Sequence, residues 1–138
     1  MSSLLNPYLN FRGQAREALD FYRSVFGGEL SVSTFGEFGM EGMPPDQVMH
    51  GQLTTPKGFT LMVSDTPEQM PLHEGSSITI AITGDDVEDL TGYFAALAEG
   101  GTITVALKKQ MWGDRYGSVT DKFGIEWMAN ISDPAVDA

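Results

Sequence analysis

The segment HGQLTTPKG, residues 50–58, is matched without gaps by YGSVTDKFG, residues 116–124, 66 positions further along the chain. Gly51 pairs with Gly117, Leu53 with Val119, Thr54 with Thr120 and Gly58 with Gly124. Each segment reads as an alternating strand entering a short turn that ends in glycine, the residue for which a left-handed backbone carries no steric cost. The runs that follow, FTLMVS at 59–64 and IEWMANI at 125–131, supply the returning strands. A repeat on this scale means that the chain is built twice from one unit.

Working outward, residues 14–26 place Ala15, Ala18, Leu19, Tyr22, Val25 and Phe26 on one helical face. Gly27-Gly28 ends that helix, and the alternation of Leu30 and Val32 with serines predicts a strand over 29–35. Residues 36–46, rich in Gly, Pro and Met, read as a long loop. The second half repeats this order. A strand over 77–83 sets Ile78, Ile80 and Ile82 on one face, and Asp85-Asp86 can cap a helix over 87–98. Gly100-Gly101 ends it, 73 positions after the first glycine pair, and a half-buried strand with Ile103, Val105 and Leu107 follows over 102–107. The predicted architecture is therefore α+β, one domain over 1–138 made of two βαβββ halves, 6–65 and 77–131. A linker at 66–76 joins them and a short tail covers 132–138. The eight strands are expected to form a curved sheet, with helices on one face and a cleft on the other. A half of this size alone buries too little surface to be stable.

Composition removes several classes of function. Eight Lys plus Arg against nineteen Asp plus Glu, a net charge of −11, leaves no electrostatic footprint for nucleic acid or anionic lipid. Zero cysteines exclude disulfides, thiol nucleophiles and thiolate-bound metals. No apolar run reaches the roughly 18 residues of a membrane span, and the start MSSLLNPYLNF lacks the basic flank of a signal peptide, so a cytoplasmic protein without membrane partners is expected. There is no phosphate-loop pattern, no HExxH and no glycine-rich turn of a nucleotide-type cofactor fold.

The element order, together with YLNFRGQAREALDFYRSVFGGEL at 8–30 and WGDRYGSVTDKFGIEWM at 112–128, resembles the vicinal oxygen chelate superfamily, the glyoxalase, bleomycin-resistance and dioxygenase group. Within it the chain is most similar to the PhnB-like branch, also labelled 3-demethylubiquinone methyltransferase-like. The resemblance implies a ligand cavity in each curved sheet, a homodimer, and in the enzymes a divalent metal held by His, Glu or Gln from the first and last strands. Carried over to this sequence, those positions hold Asn6, Tyr8 and Asn10 in one half and Ser77, Thr79 and Ala81 in the other. Met62 and Met128 stand where the carboxylates would be. A thioether is a poor donor for hard or borderline divalent ions, so no cofactor is expected, and a divalent metal enters only through an unorthodox set of His50, Glu126 and a water, both side chains being expected to point into the cavity.

The candidate ligand-binding residues are Tyr8, Asn10, His50, Gln52, Met62, Trp112, Arg115, Tyr116 and Met128. His50 is the best catalytic candidate, since imidazole exchanges protons near neutrality; the plain alternative is a histidine satisfied by a neighbour. Met62 and Met128 offer flexible, polarizable surface to an apolar or planar ligand. Met40 and Met43 sit in the loop, as a lid or as ordinary loop residues. Trp112 can stack and Arg115 can take a carboxylate or phosphate, or Asp114 and Arg115 pair structurally at a strand entry. His73 in the linker reads as solvated, and Trp127 as core. Two functions follow. The first is a metal-free binder of a small apolar or aromatic molecule; the second is a metal-dependent lyase, isomerase or dioxygenase-like enzyme using His50, so enzyme status stays open.

Overall fold

The computed structural model describes residues 4–75 and 77–132, which fall into two compact units divided between Glu74 and Gly75. Ser76 of the predicted linker and 133–138 of the predicted tail lie outside the described residues.

The first unit runs β1 (Tyr8–Phe11), α1 (Ala15–Phe26), β2 (Glu29–Thr34), a single 3₁₀ turn (Gly36–Phe38), β3 (Val48–Thr54) and β4 (Thr60–Asp65). Its four strands take the order β1-β4-β3-β2, with β1 parallel to β4 and the other pairs antiparallel. The apolar face of α1 buries Ala15, Ala18, Leu19, Tyr22, Val25 and Phe26. These meet Phe11, Leu53, Leu61 and Val63, every second residue of the strands beneath. Gly51 lies directly under the helix, where an added Cβ would stand 2.5 Å from Leu19 Cδ1. The helix has no side-chain cap of its own; Asp65, 50 positions away at the end of β4, accepts the Ala15 N–H at 3.0 Å and the Val48 N–H at 3.0 Å. Arg12 ties down the chain leaving β4, donating to the carbonyls of Pro67 at 2.9 Å and Met70 at 3.0 Å.

The second unit repeats the plan with β5 (Ile80–Gly84), α2 (Val87–Ala98), β6 (Thr102–Lys109), β7 (Arg115–Thr120) and β8 (Glu126–Ile131), in the order β5-β8-β7-β6. The eight strands thus form two four-stranded mixed sheets, one per unit, where the sequence reading joined them into one. Asp86 caps α2 as expected, accepting the Asp89 N–H at 3.3 Å. The core gathers Leu90, Phe94 and Leu97 of the helix over Ile82, Val119, Trp127, Ala129 and Ile131.

The repeated hairpin turns match bond for bond. Thr55 N–H donates to the Phe59 carbonyl and Gly58 N–H to the Thr55 carbonyl, both at 3.0 Å; Asp121, Ile125 and Gly124 do the same at 2.8 and 3.0 Å. Gly58 and Gly124 both hold φ +87°, which explains the shared glycine.

Three departures from the sequence reading have physical causes. The fifth strand begins at Ile80, so Ser77, Ile78 and Thr79 precede it and Ile78 is 80% exposed. In β6 the register slips between Ile103 and Val105 and again before Lys108, so Ile103 pairs with Val119 and Val105 with Ser118, on opposite faces. In β3 the step from His50 to Val48 against Ser33 and Thr34 leaves Met49 as a bulge, which turns Val48 into the core.

Candidate functional site

The sheet face turned away from α1 gathers five of the sequence-predicted residues. Because Leu9, Phe11, Gly51, Leu53, Leu61 and Val63 point to the helix side, alternation puts Tyr8, Asn10, His50, Gln52, Met62 and Ser64 on the other. Register aligns Tyr8, Met62, Gln52 and Ser31 across the four strands, with Asn10 beside Ser64 and His50 beside Ser33 in the next row. The Tyr8 hydroxyl lies 3.5 Å from His50 Nδ1, and the two rings are 5.8 Å apart at a 35° tilt. Since β4 separates β1 from β3, that contact spans the middle strand. Ser64 Oγ donates to Asn10 Oδ1 at 3.3 Å and Gln52 Nε2 to Thr54 Oγ1 at 3.2 Å. Tyr8 stays 45% exposed, so its ring is open to a partner. The face thus combines an aromatic ring, a thioether and several neutral donors and acceptors.

The corresponding face of the second unit carries Tyr116 and Met128. Tyr116 aligns with Asn130, Thr83 and Lys108; Met128 aligns with Ser118 and Ala81; Glu126 aligns with Thr120 and Thr102. Thr104 Oγ1 and Ser118 Oγ are 2.6 Å apart, and Asn130 Nδ2 donates to Asp114 Oδ2 at 2.9 Å. Asp114 is thus bonded to Asn130 at the strand entry. Arg115 is on the opposite face from Tyr116, in register with buried Ile131, because neighbours in a strand alternate. Trp112 lies in the turn between β6 and β7, 60% exposed, outside the sheet altogether. The structure therefore does not bring Trp112 and Arg115 onto the face that holds Tyr116 and Met128. His73 is exposed, and Trp127 is core at 2% exposure.

A profile of the Glyoxalase/Bleomycin resistance protein/Dioxygenase superfamily matches residues 4–129. The chain belongs to this superfamily. Among curated relatives, Protein YjdN of Escherichia coli K12 is 32% identical over 143 residues, covering 92% of this chain and 94% of YjdN. Among solved structures, protein PA1353 of Pseudomonas aeruginosa superposes with a TM-score of 0.86 at 33% identity, over 96% of this chain and 99% of that one. A PhnB protein from Bacillus cereus shares the fold, with a TM-score of 0.77 at 24% identity, over 94% of this chain and all of its own.

The divalent metal that the superfamily resemblance implies does not fit the donors present. On the first face His50 is the imidazole and Met62 occupies the carboxylate position; on the second, Glu126 stands two residues before Met128. Among the described residues no three His, Cys, Asp or Glu side chains come together as a metal would require. Sequence reasoning missed Ser64 and Asn130 as members of these faces, whereas Glu126 was already expected to point away from the helix. Strand parity with Met62 and Met128 carried that signal for both.

Proposed function

We propose that this chain is a PhnB-like binder of a small apolar or aromatic molecule, held against the open sheet faces without the standard metal set. The observation that supports this reading is the gathering of Tyr8, His50, Gln52 and Met62 on one face, with the tyrosine ring half-exposed beside the imidazole. A planar ligand lies against the phenol ring and the Met62 thioether, both of which favour aromatic contact. Its polar substituents meet His50 and Gln52, which fix its orientation. The protein acts as a cytoplasmic homodimer in this reading, with a small molecule as its partner.

The test is a thermal-shift series with polycyclic aromatic compounds on untagged protein, alongside metal analysis. Saturable stabilisation is expected, amounting to about 2.7 kcal/mol at a hundredfold excess over Kd. It should weaken in Tyr8→Ala and in Met62→Ala. Stoichiometric zinc, nickel or manganese that disappears in His50→Ala would overturn the reading in favour of a metal-dependent enzyme.

A further inference from the structure

Glu126 opens β8 on the same sheet face as Met128 and Tyr116. The residue is half-buried, its Oε2 is sealed from solvent, and among the described residues no hydrogen-bond donor reaches that oxygen. A carboxylate oxygen stripped of water and given no donor is costly, and few native polar groups are left this way. Because the terminal torsion of a glutamate is soft, the carboxyl can turn this oxygen toward a donor arriving on the face. The row does not supply one: Thr120 and Thr102 stand opposite, and neither bonds it. Among the described residues of the sheet the cation on this face, Lys108, lies beside Tyr116, roughly 13 Å along the strand from Thr120. Two positions from Glu126 is Met128, so a group resting on the thioether has the carboxyl about 7 Å away.

We infer that the open face of the second unit selects an aromatic compound bearing a basic nitrogen, whose N–H donates to Glu126 while its ring lies over Met128 and Tyr116. This rests on the reading that the open faces receive an aromatic ligand, and it adds the ligand's charge and the placement of its nitrogen. A charge-assisted hydrogen bond is stronger than a neutral one, so the pairing sets specificity as well as affinity. The equivalent position in the first unit is Thr60, so the preference belongs to one unit alone.

The experiment compares 2-naphthylmethylamine with 2-naphthylmethanol, near-isosteric probes that differ in the basic nitrogen, by calorimetry on the full chain. The amine is expected to bind at least tenfold more tightly, and Glu126→Gln, which keeps the side-chain shape, to erase that ratio by weakening the amine far more than the alcohol. Because a net charge of −11 attracts any amine, Glu37→Gln in the exposed loop serves as the control and should leave the ratio intact. A ratio that survives in Glu126→Gln, or that falls equally in both variants, overturns the inference. If Glu126→Gln does not fold, the native protein decides: equal affinity for the two probes overturns it. Binding of both probes without a preference removes this inference alone, whereas binding of neither removes the underlying reading as well.

Discussion

The two units share a backbone plan but place their buried carboxylates differently. In the first, Asp65 at the end of β4 joins the start of α1 to the start of β3; the residue 66 positions on is the apolar Ile131. In the second, Asp121 in the hairpin turn accepts the N–H groups of Phe123 at 2.9 Å and Ile125 at 3.1 Å, and the Trp127 indole N–H at 2.9 Å. Its counterpart, Thr55, makes one bond of that kind, from the Phe59 N–H at 3.0 Å. One unit fixes its helix to the sheet through a carboxylate, and the other fixes its turn to a core indole. The difference teaches that the repeat constrains backbone geometry, while each half settles its polar groups with whatever side chain lies within reach.

The sharpest break in the likeness is expected at the glycine pairs. A Cβ at Gly28 would stand 2.2 Å from the Thr54 carbonyl oxygen, and one at Gly101 would stand 2.3 Å from that of Thr120. Gly28 also holds φ +105°, whereas Gly101 has no positive φ. Gly28→Ala should therefore cost about 4 kcal/mol in urea unfolding, roughly 1–2 kcal/mol more than Gly101→Ala. Asp121→Ala comes next at about 3–4 kcal/mol, with three donors left unmatched; Asp65→Ala follows at about 2–3 kcal/mol, with two. Trp127→Leu copies the first unit's Leu61 into the second and leaves Asp121 Oδ2 without its indole donor. A loss near 2–3 kcal/mol is expected, with a blue-shifted tryptophan fluorescence component removed. The smallest effect falls on the open face: Tyr8→Phe should change stability by under about 0.5 kcal/mol, because the hydroxyl's contact with His50 is long and exposed, and any larger change would assign it a structural role.

Both helices were legible in the sequence to within a residue, because an apolar stripe with a 3.6-residue period and a glycine stop has few other meanings. The hairpins were legible because a turn glycine at positive φ recurs in both copies. The bulges in β3 and β6 were not, since an inserted residue leaves the composition unchanged and shows only in the partner's register. Parity places Met62 and Met128 on the faces away from the helices, and the same alternation puts Arg115 on the face opposite Tyr116. Asp65 and Asp121 look in the sequence like any turn or strand-end acid, and their donors arrive from residues as much as 50 positions away. The sealed oxygen of Glu126 likewise depends on what packs around it.

The parallel pairing of β1 with β4, and of β5 with β8, has a consequence for how the chain reaches this state. Tyr8 sits beside Met62 across an intervening 53 residues, and Ala81 sits beside Met128 across 46. Such contacts form late, because loop closure must precede them. The docking slots beside β4 and β8 have one polarity and one register, so on geometry alone a short strand from either half could enter the other's ladder. Bulk decides between them. Phe11 next to Asp65 and Gly84 next to Ile131 are not interchangeable, and this mismatch in size guards a duplicated chain against exchanging its own first strands.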